Sequence, residues 1–345
     1  MKTSDFYFEL PEQRIAQYPA PRGESRLLVL DRAAGRRSHH SVKELPGLIE
    51  SGALVVFNDT RVRKARIFGT DSRGVRAEFL LLNRGGDGSS WEVITKKGGR
   101  RAGRRFRFAG GEAEAELLCE GPRYLLRFDR PIDDAWLDAH GHVPLPPYIK
   151  RADEASDSSR YQTVYARRHG SAAAPTAGLH FTDSILSELS RRGIGTAFIT
   201  LHVGPGTFLP VHCADVENHR MHKETFRIES GAAEQIEKAK REGRKVIAAG
   251  TTTLRALESA WRDGALQTGE QCTDIFIYGD WRFRTVDALF TNFHTPCSTL
   301  LMLVCAFAGA VNGERAGRKL IMETYREAVQ REYNFFSYGD AMLIL

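Results

Sequence analysis

Two short apolar runs stand near the start of the chain. "RLLVL" (26–30) and "ALVVF" (53–57) read as buried strands, because such runs between turn signals lack helical length. "FELPEQRIAQYP" (8–19) and "SVKELPGLIESG" (41–52) read as short helices beside them. From about Arg63 to Arg130 the pattern changes to short alternating segments: "RKARIFGT", "VRAEFLLL", "SSWEVIT", "RRFRF", "EAEAELLC" and "RYLLRF". Gly-Gly, Gly-Asp-Gly and Gly-Pro pairs separate them, which predicts a small barrel or sandwich. "DDAWLDAHG" (133–141) closes that module as a short helix, and the small, acidic "ADEASDSS" (152–159) reads as a loop.

Beyond this loop, strands alternate with helices. "GTAFITLHV", "KVIAAG" and "VDALFTNF" have the strand pattern, and "FFSYGDAMLIL" adds a closing strand. "DSILSELSRRG", "AAEQIEKAKREG", "TTLRALESAWRDG", "STLLMLVCAFAG" and "ERAGRKLIMETYREAVQREY" have the helical one. Alternation of this kind predicts an α/β layer fold. The N-terminal strands match it better than they match the barrel. The expected architecture is therefore an α/β domain formed from both chain ends, 1–62 and 150–345, carrying an inserted β-barrel, 63–149.

Composition narrows the class. With 42% hydrophobic and 27% charged residues among 345, the chain has ample material for a core. A net charge of +6 suggests an anionic partner. No apolar run approaches the roughly 18 residues of a membrane span. The opening "MKTSDFYFELPEQ" has no signal-peptide core, and five cysteines without C-x-x-C spacing suit a reducing, cytoplasmic setting.

The candidate chemistry follows the strands. "LVVF" runs into Asn58-Asp59-Thr60, "AFITL" into His202 and Gly204-Pro205-Gly206-Thr207, "VIAA" into Gly250-Thr251-Thr252, and "ALFTNF" into His294-Thr295-Pro296. Open α/β sheets bind ligands beyond the carboxyl ends of their strands. "AAPTAGLHFT" (173–182), too rich in Gly and Pro for a helix interior, supplies another such loop, with His180 before the helix opened by Thr182-Asp183. Gly250 to Arg255 reads as an anion site, a strand leading through a glycine into a helix N-terminus with an arginine one turn in. Taken alone, the stretch reads rather as a helix start with Thr252 or Thr253 as N-cap. Neither G-x-G-x-x-G nor G-x-x-x-x-G-K-[ST] is present, which excludes an ordinary nucleotide phosphate loop. The histidines His202, His212, His219 and His222 raise a metal site, but H-E-x-x-H and cysteine pairs are missing, so hydrogen bonding or proton transfer suits them better. The run "KKGGRRAGRRFRF" (96–108) either tracks a phosphate backbone or protects a hairpin edge. "GHVPLPPYIKR" (141–151) is stiff with proline; it is a rigid connector, or it presents Tyr148 and Lys150 to a ligand.

Taken together, "DFYFELPEQRIAQYP", "FNDTRV", "GHVPLPPYI", "AAPTAGLHFT", "LHVGPGTFLPV", "HRMHKE", "GTTTLRALES", "TNFHTPCSTLLMLVCAFAG" and "FFSYGDAMLI" resemble, in order, the S-adenosylmethionine:tRNA ribosyltransferase-isomerases of queuosine biosynthesis. Gly279-Asp280-Trp281, Thr295, Cys297 and Asn334 depart from the family's common residues. The resemblance implies an α/β domain with an inserted barrel. It implies transfer and isomerisation of the ribosyl part of S-adenosylmethionine onto the 7-aminomethyl-7-deazaguanine at the wobble position of tRNAs with a GUN anticodon. The product is epoxyqueuosine, and adenine and methionine leave. S-adenosylmethionine is then a consumed substrate, with no resident cofactor and no metal, in a cytoplasmic monomer. Within that reading, proton transfers fall among His180, His202, His294, Asp59 and Asp340. Substrate contacts fall among Thr176, Gly178, Gly204, Gly206, Thr207, Gly250, Thr251, Thr252, Arg255, Asn292 and Tyr338. The tRNA would meet Arg100, Arg101, Arg104, Arg105, Lys150 and Arg151. A metal-dependent hydrolase and a non-catalytic RNA-binding barrel protein are the alternative classes.

Overall fold

The structure, a computed structural model, describes residues 1–95, 101–204, 211 and 213–345. Its first strands are β1 (Arg26–Asp31), β2 (Arg36–Ser41), β3 (Leu54–Asn58) and the short β4 (Thr60–Val62). Six more, β5 (Arg66–Asp71), β6 (Arg76–Arg84), β7 (Ser90–Thr95), β8 (Arg105–Phe108), β9 (Ala113–Glu120) and β10 (Arg123–Phe128), close into an antiparallel barrel in the order β10-β7-β6-β5-β8-β9. Alternate side chains fill it: Phe79 meets Phe106 edge to face at 4.9 Å, and Trp91, Phe108 and Leu126 are buried around them.

The second half adds β11 (Arg168–Ser171), β12 (Gly195–Leu201), β13 (Glu224–Ile228), β14 (Val246–Ala249), the hairpin β15 (Trp261–Arg262) and β16 (Ala265–Leu266), β17 (Gly269–Thr273), β18 (Ala288–Asn292) and β19 (Ala341–Ile344). Nine strands form the main sheet, in the order β17-β13-β12-β3-β14-β18-β19-β1-β2. Its centre, β12, β3, β14 and β18, is parallel, and every residue of β3, β14 and β18 is buried. That is why these strands read as unbroken apolar runs: helices cover both faces. The alternation within β1 shows the two layers. Leu28 and Leu30 join one core, while Leu27 and Val29 join the other. The mixed α/β fold with a closed six-stranded barrel agrees with the sequence expectation.

Three local expectations need correction. The "FELPEQRIAQYP" segment is no α-helix; only Glu12–Arg14 makes a 3-10 turn, because Pro11 and Pro19 bracket a stretch too short to continue. The helix beginning at Thr251 stops at Ala260, and "WRDG" turns a small hairpin. "AAPTAGLHFT" contains a 3-10 turn, Thr176–His180, before Thr182 caps the next helix by accepting from the Ile185 N–H at 3.1 Å.

Candidate active site

The parallel strands β12, β14 and β18 present their carboxyl ends on one edge of the sheet. A cavity of about 290 Å³ lies there, lined by Val203 after β12, Gly250 to Thr252 after β14, and Thr291 to Ser298 at the end of β18. The 174–177 loop, Tyr148, Phe336 and Ser337 complete the wall. Tyr148 stacks on Phe336 with ring centroids 4.3 Å apart and planes 20° from parallel, and its hydroxyl lies 2.5 Å from that of Ser337. The proline-stiffened 141–151 segment thus delivers an aromatic plate to the cavity.

Two helices start at this wall. Thr251–Ala260 follows Gly250, whose φ of +99° suits glycine alone. The buried Thr299–Asn312 helix follows Ser298, whose hydroxyl accepts from the Leu301 N–H at 3.2 Å. First-turn N–H groups and helix dipoles make such ends favourable for a carboxylate. Among the described residues no Asp, Glu, Lys or Arg lines the cavity. Cys297 and Phe336, both lining it, adopt φ of +56° and +71°, a conformation that side-chain-bearing residues rarely hold without compensation.

Of the five proton-transfer candidates, His294 alone lines the cavity. Its Nε2 lies 3.0 Å from the Thr291 hydroxyl, and burial drives its pKa down to about 3. His180 sits one layer behind, fully buried, 3.0 Å from the side-chain nitrogen of Asn292; burial, and then the Arg22 guanidinium, lower its pKa to about 4. His202 faces a different space, with Nδ1 2.8 Å from the Thr60 hydroxyl. Asp59 is buried and accepts from the Thr200 hydroxyl at 2.6 Å. Asp340 accepts from the Arg26 and Asn334 backbone N–H groups, each at 2.8 Å, with one oxygen for each. It holds a turn and does not reach the cavity.

Among the expected substrate contacts, Thr176, Gly250, Thr251, Thr252 and Asn292 line the cavity. Arg255 does not. It turns inward and pairs with Glu224, both side chains being at most 5% exposed, and its Nε donates to the Ile275 carbonyl at 3.3 Å. The anion-site role of Arg255 is thereby corrected: the guanidinium points away from the turn whose helix carries it. The threonine N-cap reading fails as well. Gly250 is the cap, and the Thr253 hydroxyl donates back to the Ala249 carbonyl at 2.8 Å. Gly178 lacks a side chain for the sake of a protein neighbour, since a Cβ there would sit 2.2 Å from the Tyr165 hydroxyl. Tyr338 is turned from the cavity and donates to Asp157 at 2.8 Å. Gly206, Thr207, Arg100 and His212 lie outside the described residues. Sequence reasoning passed over Phe336, Ser337 and Ser298; the S-x-x-L start of a long apolar helix was the available signal for Ser298.

A second, wider cleft of about 980 Å³ separates barrel from sheet. Arg63, Arg84, Arg123, Lys223, His202, His222 and Tyr124 line it, with Gly204 and two carboxylates, Glu92 and Glu224, so basic groups are in excess. Val203 belongs to both walls, so the cleft and the cavity adjoin there. None of the described tRNA candidates lines the cleft. Arg104 is committed to Asp71 at 2.5 Å, Arg151 is bound by both oxygens of Asp157, and Lys150 is paired with Glu12. These pairs make Arg104 and Arg151 structural. Arg101 and Arg105 are exposed. Among the described residues, no group of three His, Cys, Asp or Glu side chains is placed to hold a metal.

An α/β sheet with a cavity at its strand ends thus stands beside a closed barrel, with a basic cleft between them. The comparisons place the chain more narrowly. A family model described as queuosine biosynthesis protein matches residues 3–344, and the chain belongs to that family. It is 50% identical over 355 residues to the S-adenosylmethionine:tRNA ribosyltransferase-isomerase of Treponema denticola, covering both chains completely. It is 48% identical to that of Anaeromyxobacter sp. strain K, covering 100% of this chain and 99% of the relative. The crystal structure of S-adenosylmethionine tRNA ribosyltransferase from Thermotoga maritima is similar over 99% of this chain and 100% of that one, with 33% identity and a TM-score of 0.56.

Proposed function

We propose that this enzyme transfers and isomerises the ribosyl group of S-adenosylmethionine onto the aminomethyl-deazaguanine of tRNA, releasing adenine and methionine. The observation that carries the reading is the adjacency at Val203, which lines both a cavity without charged side chains among the described residues, with helix N-termini in its wall, and a basic cleft. A carboxylate suits the N–H groups of the helix starts, and the Tyr148–Phe336 plate suits a planar base. The sulfonium acidifies the C5′ hydrogens, a base takes one, and adenine departs with a proton or hydrogen bond. His294, neutral and in the cavity wall, is the favoured proton carrier.

The tRNA is assigned to the cleft, where Arg84, Lys223 and the exposed Arg123, 3.7 Å from Glu92, offer charge and Tyr124 offers a stacking face. This replaces the 96–108 run as the main contact. S-adenosylmethionine serves as a consumed substrate, without a resident cofactor, in a cytoplasmic monomer. Among the described residues, no helix is long and apolar enough to cross a membrane. The test is incubation with S-adenosylmethionine and tRNA bearing the aminomethyl base, without added metal. Adenine and methionine appearing in step with modified tRNA is the expected result. Binding of tRNA without adenine release would favour the RNA-binding alternative, and activity abolished by EDTA and restored by zinc would favour the hydrolase class.

A further inference from the structure

Asn292 ends β18 in the cavity wall, 2% exposed. Its side-chain nitrogen donates to the Phe336 carbonyl at 3.1 Å. A carbonyl only accepts, so the amide cannot be turned end for end without placing two acceptors face to face. The same nitrogen lies 3.0 Å from His180 Nε2. Its second hydrogen points there, and Nε2 must therefore carry a lone pair. His180 is buried, and burial together with the nearby Arg22 guanidinium keeps it neutral, which leaves that lone pair in place at physiological pH. Both amide hydrogens are thus committed to the protein. The amide oxygen is buried and has no partner among the described residues.

Buried acceptors without partners are rare and call for an explanation. The cavity supplies one. Its helix starts offer donors, while no carboxylate among the described residues lines it. A ligand bringing an amino group needs an acceptor; Asn292 belongs to the cavity wall, and the two contacts of its nitrogen fix which end of the amide is the oxygen. We propose that Asn292 Oδ1 is a specificity-determining acceptor for an amino group of the ligand in this cavity, and that His180 is the positioning residue that fixes its orientation. This rests on the reading of the cavity as the S-adenosylmethionine site. That molecule has two amino donors, the 6-amino group of adenine and the α-ammonium of its methionine part. A site built to hydrogen-bond a substrate N–H discriminates strongly against an analogue lacking it.

The experiment is calorimetric binding of three probes to the full chain. They are S-adenosylmethionine, its analogue with hypoxanthine in place of adenine, and its analogue lacking the α-amino group. The unaltered protein should bind one analogue at least about tenfold more weakly than S-adenosylmethionine, which identifies the donor. Asn292→Ala should bind S-adenosylmethionine about tenfold more weakly and lose that preference. His180→Gln, which still offers an acceptor to the amide, should keep affinity and preference; His180→Leu should lose both while melting cooperatively. A protein that binds no S-adenosylmethionine refutes the reading of the cavity. Discrimination kept in folded Asn292→Ala overturns the inference for Asn292 alone. Equal behaviour of His180→Gln and His180→Leu overturns the positioning role.

Discussion

Replacing Arg255 with alanine separates two roles with different signatures. The side chain is 2% exposed and pairs with Glu224, itself 5% exposed, while the Glu224 carboxylate also accepts from the Gly204 N–H at 3.2 Å. Removing one member of a buried ion pair leaves the other charge desolvated, at a cost of about 3–5 kcal/mol. Against a typical total stability of about 5–15 kcal/mol, that is a large fraction. Arg255→Ala should therefore shift the urea midpoint strongly downward. Arg255→Met combined with Glu224→Leu should recover much of the loss, since a buried pair exchanged for apolar groups of similar size is often neutral or better. Binding of S-adenosylmethionine to the folded fraction of Arg255→Ala should weaken only modestly, through Gly204. The measurement is equilibrium urea denaturation, with calorimetry at low urea. An unchanged midpoint with affinity down a hundredfold would refute the inward placement and restore Arg255 to the ligand.

Acid should destabilise the fold through its histidines. His180 and His294, with pKa values near 4 and 3, stay neutral in the folded state while the unfolded chain protonates them below about 6.5. Their contribution is present above pH 6.5 and is lost as pH falls toward 4 and 3, by about 2 kcal/mol each at pH 5. Denaturation at pH 7 and pH 5 should show it, and equal midpoints would sink the claim. Burial raises the Cys297 thiol above its ordinary pKa, so alkylation there should be slower than at the exposed Cys119 and Cys272. S-adenosylmethionine should slow it further at Cys297 only, as read by peptide mass spectrometry; equal protection at all three would argue against the cavity assignment. Changing Arg84, Arg123 and Lys223 to serine should weaken tRNA binding and flatten the log–log salt dependence by about 0.7–0.9 per lost contact. An unchanged slope would return the tRNA to the 96–108 run.

The parallel strands were legible because both of their faces are covered, which leaves an unbroken apolar run, and the barrel because its strands alternate. β2, "RRSHHS", was not. It is an edge strand, polar on both faces, and only its pairing with β1 makes it a strand. At the site, the loops after β14 and β18 were legible as polar stretches behind apolar strands, and their residues do meet in one cavity. The direction of Arg255 was not legible, because its partner Glu224 lies 31 positions away, on a strand, while Arg255 is on a helix. Nor was the purpose of Gly178, which depends on the Tyr165 hydroxyl approaching from a separate turn. Local pattern reports what a segment can form; which side chains meet depends on contacts between segments.

The order of strands in the main sheet also has a consequence for how the chain reaches its final state. The barrel's pairings all join residues between 66 and 128, so its contacts are local and its loops short. The β1–β2 hairpin is attached to the rest of the sheet through β19, with Leu27 opposite Ala341. Closing a contact of that separation carries a large entropic cost before any reward, and such topologies fold slowly. The barrel is then the early-forming unit and the β1–β19 seam the late one. Until the seam closes, β1 and β19 each expose an unpaired edge, and in that interval the chain is open to edge-to-edge association.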